Sequence, residues 1–150
     1  MRFIHLFSTV TWFGGVIFLS AFVAPVMFTT FPVEQAGDVM GAIFPVFYRM
    51  SYAAGLLSLV SLYFAFKKRP WIRIALILIM LLASLYGGEV VGKKAAELRL
   101  MIRQEASVER KAELKENFHS QHRLSMISNS VVLILIPVVL FLTARKLGDG

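Results

Sequence analysis

Arg49, Glu89 and Asn129 sit inside long apolar runs, where a charged or amide side chain is costly and seldom idle. Counted inward from the run ends at about 1.5 Å per helical residue, they lie roughly 9, 6 and 8 Å deep, in one layer. A cation, a carboxylate and an amide from three runs at one depth can line a polar pocket. Tyr48 and Tyr52 flank Arg49, and Ser125 precedes Asn129 by about one helical turn, so hydroxyl groups join the same layer. Such a set recognises a small ligand or ion without making or breaking bonds, which suits transport or resistance better than catalysis. Arg49 then anchors an anionic group or pairs with Glu89. Glu89 also has Lys93 four residues on as an ordinary helical partner, and Ser125 and Asn129 can equally act as interhelical glue.

Two further sets have ligand chemistry. His119, His122 and Met126 recur at helical spacing, as a soft metal site would require. Met27, Met40 and Met50 fall near the same level, which makes copper the natural metal to expect, although methionine is also routine apolar packing. His5 opens the first run, with Trp12 seven residues on and Gly14-Gly15 beyond. A histidine on a span beside small residues can ligate haem b; it can also be an interfacial residue beside an aromatic belt.

The elements that must position these groups are four apolar runs of membrane-spanning length, at about 3–28, 43–66, 71–92 and 124–144. The expected fold is therefore all-α, a single membrane domain built as a four-helix bundle. The first run is too long for a signal-peptide core and lacks a small residue at the −3 position, so it is read as a retained helix. A polar connection over 29–42 carries Pro32, Gly37 and Gly41 as turn residues. Lys67-Lys68-Arg69-Pro70 ends the second run and starts the third. Between Gly92 and Pro137 there is no helix breaker, and 93–123 is rich in strong helix formers. The third and fourth runs should therefore continue into a projecting helical hairpin, turning at Ala106-Ser107 or near Asn117. Ser84, Gly88 and Gly92 make a ridge of small residues beside Glu89, fit for close packing within the bundle or between copies in a homo-oligomer.

Composition narrows the class. Hydrophobic residues make up 57% of the chain and charged residues 17%, and the net charge of +7 is concentrated at the ends of the apolar runs. That is where basic side chains meet lipid headgroups and set topology, so the partner implied is a bilayer and nucleic acid is not expected. The absence of cysteine excludes disulfides, thiolate metal sites and cysteine nucleophiles. Arg2, Lys67, Lys68, Arg69, Arg73, Arg145 and Lys146 share one side. The opposite side has no Lys or Arg in its first connection and eight basic against five acidic residues in the hairpin. The positive-inside rule then places both termini in the cytoplasm, with a bacterial inner membrane the simplest setting.

Several short patterns carry a family likeness. Thr11-Trp12-Phe13-Gly14-Gly15, Ala24-Pro25-Val26-Met27-Phe28, Ile43-Phe44-Pro45-Val46-Phe47-Tyr48 and His122-x-x-Ser125-x-x-x-Asn129 resemble the transmembrane protein 205-like family. That resemblance implies a compact four-helix membrane protein of undefined biochemistry. More distantly, His5 followed by Trp12-Phe13-x-Gly15 looks like the opening of HemJ-type protoporphyrinogen oxidases and CopD copper-resistance proteins, which implies His5 as a haem ligand. Three functions follow: a ligand-binding membrane protein, a haem-dependent membrane oxidoreductase using His5, or a scaffold that docks a partner through the hairpin.

Overall fold

The computed structural model describes residues 1–65 and 69–148. Phe66, Lys67 and Lys68, the expected end of the second run and part of its basic terminus, lie outside the described residues. The described residues form four helices of spanning length: α1 (Arg2–Thr30), α2 (Val33–Ala65), α3 (Trp71–Gln104) and α4 (Val108–Gly148). Each packs against its sequence neighbours and α4 closes on α1, an up-down-up-down ring. All four are apolar enough to cross a bilayer, and the outward surface agrees: Phe3, Phe7, Phe18, Phe22, Leu82, Ile134 and Phe141 are all exposed. Their length and composition fit an integral membrane bundle.

The core is a seam of large side chains seated against small ones. Trp12 and Val16 of α1, Leu62 of α2, Ile77 and Met80 of α3, and Ile136 and Val139 of α4 are fully buried. Gly55 makes room for Trp12: a Cβ there would stand 2.9 Å from the indole ring. Gly15 likewise receives the Met50 methyl. Without water to gain from apolar burial, such knob-and-notch contacts are what hold membrane helices together.

Two helices carry wide π-helical turns. In α1 the turn spans Phe18–Val23, immediately before Pro25, whose missing N–H removes one rung of the α ladder. In α3 it spans Tyr86–Gly92 and contains the Gly87-Gly88 pair. Both lie at the hairpin end of the bundle.

The first connection differs from expectation. Helix α1 runs to Thr30 and α2 starts at Val33, so the break is confined to Phe31-Pro32. Glu34, Gln35 and Ala36 are adequate helix formers, and a proline just ahead of the first turn is a favoured start. Gly37 and Gly41 are therefore not turn residues; they lie one turn apart on a helix face. The long hairpin breaks at 105–107, the first of the two expected places. There the Glu105 carboxylate accepts from the Ser107 N–H at 2.9 Å, and the Ser107 hydroxyl caps α4 by accepting from the Arg110 N–H at 3.4 Å.

Candidate functional site

The polar layer expected from the sequence assembles at the hairpin end. Tyr48, Arg49 and Tyr52 from α2, Glu89 and Lys93 from α3, and His122 and Ser125 from α4 line one cavity of about 360 Å³. Gly88 lets the helices close around it, because a Cβ there would collide with the Tyr52 hydroxyl and the Tyr48 ring. Gly87, which the sequence did not single out, does the same toward the Tyr48 hydroxyl and Ser128. Tyr48 is buried, stacked between Phe44 and Tyr52, and its hydroxyl shares a 3.0 Å hydrogen bond with Ser125.

Arg49 and Glu89 line this cavity without pairing. Glu89 binds Lys93 at 2.7 Å, one turn along the same helix, and the Arg49 Nε donates to the Pro45 carbonyl at 3.2 Å. Both are exposed, so the charges stand at the mouth of the cavity between α2 and α3 and the tyrosines form its inner wall. Asn129 lies next door. It donates to the Ser20 hydroxyl of α1 at 3.0 Å and lines a second cavity of about 370 Å³ that shares Tyr48, His122 and Ser125 with the first.

The first of these cavities is also lined by Arg99, which the sequence reading passed over as one more hairpin charge. It is half-buried, lies 5.4 Å over the Phe118 ring and donates to the Gly37 carbonyl. A Cβ at Gly41 would fall on its guanidinium. Next along the helix face, Arg103 binds Asp38 and holds that carboxyl below its ordinary range. The readable signal was there: two glycines four apart with Asp38 between them, matched by two arginines four apart.

The expected metal set is divided between two cavities. His119 is exposed on a cavity at the base of the hairpin, whereas Met126 lines the Asn129 cavity; only His122 reaches both. Among the described residues no three of His, Cys, Asp or Glu converge. Burial, with His119 and Arg99 beside it, holds His122 below the ordinary imidazole range.

At the termini end, His5 is not interfacial. It is 1% exposed and ties three helices. Its Nδ1 faces the Ser58 hydroxyl at 3.0 Å and the Ser58 carbonyl at 3.1 Å on α2. Its Nε2 meets the Thr143 hydroxyl of α4 at 3.1 Å. That hydroxyl also donates to the Val139 carbonyl at 2.8 Å. Thr9 donates to the His5 carbonyl at 2.7 Å and touches Ser58 at 2.8 Å. Arg73, expected to face headgroups, is buried beside this cluster. Axial ligation of haem iron at His5 requires one of these bonds to open and the ring to leave its packing. The surroundings of His5 as packed do not fit a porphyrin.

Comparison with curated proteins and with solved structures gives no match. A family model described as a domain of unknown function matches residues 7–104, which take in α1 from Phe7 onward, α2 and the whole of α3 with Arg49, Glu89 and Arg99. With that match over more than half its length, the chain belongs to the DUF4149 family.

Proposed function

We propose that this protein binds a small ligand bearing an anionic group in the cavity between α2, α3 and α4, and that it is not an enzyme. One observation carries the reading: Tyr48, Arg49, Tyr52, Glu89 and Ser125, polar residues from three helices, line one enclosed space beside Arg99 and Lys93. Three cations against one carboxylate favour an anion, and the stacked tyrosines supply flat walls with hydroxyl donors. Volumes of this size suit small molecules. The likeness to the transmembrane protein 205-like family is compatible with this role and adds no chemistry of its own. By the positive-inside rule, Arg2, Arg69 and Arg145 place the termini in the cytoplasm and the cavity on the far side, the bacterial inner membrane being the simplest setting.

Native mass spectrometry of the protein released from membranes tests this. The expected result is a small-molecule adduct in the wild type that is lost in Arg49→Gln and in Ser125→Phe, which fills the cavity. An adduct retained in both variants, or none in any sample, overturns it.

A further inference from the structure

The cavity at the base of the hairpin adjoins the one just assigned, sharing Arg99 and Phe118 with it, and differs in character. It encloses about 680 Å³ between the start of α2, the end of α3 and the start of α4. Its inner surface is apolar, with Phe28, Phe44 and Phe118 among its walls. Its rim is cationic. Arg99, Arg103, Lys111 and Lys115 face Glu34 and Asp38, and the Arg103–Asp38 pair cancels one charge of each sign. Lys111 and Lys115 lie one turn apart on the same face of α4 and make no ion pair among the described residues. Arg99 spends its bond on a backbone carbonyl, so its charge is not neutralised there. Three cations therefore stand against Glu34 over an apolar floor.

We propose that this cavity is a headgroup site for an anionic phospholipid drawn from the surrounding bilayer. Phosphate oxygens would sit between Arg99, Lys111 and Lys115, where charge-assisted bonds are strongest. The lipid source follows from the mouth of the cavity. Phe28 and Val33 are exposed there and continue the apolar outer surface of α1, so an acyl chain can leave the cavity without crossing water. Arg49 does not line this cavity, so the assignment stands or falls apart from the ligand of the inner cavity.

The test compares the full chain in nanodiscs of phosphatidylcholine alone with nanodiscs that also contain phosphatidylglycerol. The expected result is an unfolding midpoint higher by about 2–4 °C with phosphatidylglycerol, abolished in the Lys111→Gln/Lys115→Gln double variant and kept in Arg49→Gln. These lysines lie on the surface of the hairpin, so the double variant should fold. Glycerol phosphate added to phosphatidylcholine nanodiscs separates the two sources of the same anion. If it reproduces the whole shift, the site takes a soluble phosphate and the lipid assignment is overturned. No shift in the wild type, a shift that survives in the double variant, or one lost equally in Arg49→Gln overturns the site itself.

Discussion

The two ends of the bundle use the same kinds of residue for opposite purposes. At the termini end, His5, Thr9, Ser58 and Thr143 are buried and meet one another directly across α1, α2 and α4. At the hairpin end, Tyr48, Arg49, Glu89, Ser125 and His122 surround space. What separates glue from site is not residue type or depth. It is whether the donors and acceptors meet each other or leave a gap between them. Small residues decide which: Ser and Thr at the termini end let helices touch, whereas Gly87 and Gly88 admit tyrosine rings that hold them apart around a void.

The largest effect that follows is at His5. His5→Leu leaves Ser58 and Thr143 without their buried partner and should cost about 1–3 kcal/mol, read as a lower thermal midpoint in detergent. A neutral outcome would make the termini end ordinary packing and erase the contrast. Next is Gly41→Leu, which displaces the Arg99 guanidinium from its seat. Overpacking of this kind costs about 1–3 kcal/mol, and the expected sign is faster proteolysis at 105–107 with the bundle still helical by circular dichroism.

Smaller is the coupling between Arg49 and Glu89. Because they do not pair, the Arg49→Ala and Glu89→Ala effects should add within about 0.5 kcal/mol in a double-mutant cycle. Strong coupling would mean that the cavity closes on itself by an ion pair and resembles the termini end after all. Smallest is the response to acid. A folded-state value for His122 below the ordinary imidazole figure of about 6.5 means that protonation favours unfolding. The associated stability is intact above that figure and is lost as pH falls toward the folded value; the fall should be shallower in His122→Gln.

Much of this was legible in the sequence, for a physical reason. Bilayer-length apolar runs constrain helix number strongly, and helical rise converts sequence position into depth, so Arg49 and Glu89 could be placed together before any contact was known. Rotation about the helix axis is not so constrained. The reading therefore left open whether Glu89 turns to Arg49 or to Lys93, and missed that Arg73 points inward and that His5 faces Ser58 and Thr143. Gly37 and Gly41 misled for a related reason: glycine in a polar stretch signals a turn on local grounds, and only the arrival of Arg99 from a residue range more than fifty positions away makes the pair a helical seat.

The wide turn at Tyr86–Gly92 has a mechanical consequence. A π turn holds one residue more than the α turn it replaces, and one residue corresponds to about 100° of rotation around a helix. The segment thus acts as a vernier between the apolar half of α3 and its charged extension, setting the angle at which Arg99 and Arg103 meet α2. Deleting Val90 and letting the turn revert to α geometry would keep the helix unbroken but swing the arginine face away from Gly37 and Asp38. In a protein whose two ends do different work, that single surplus residue is the adjustment that lets one helix serve both.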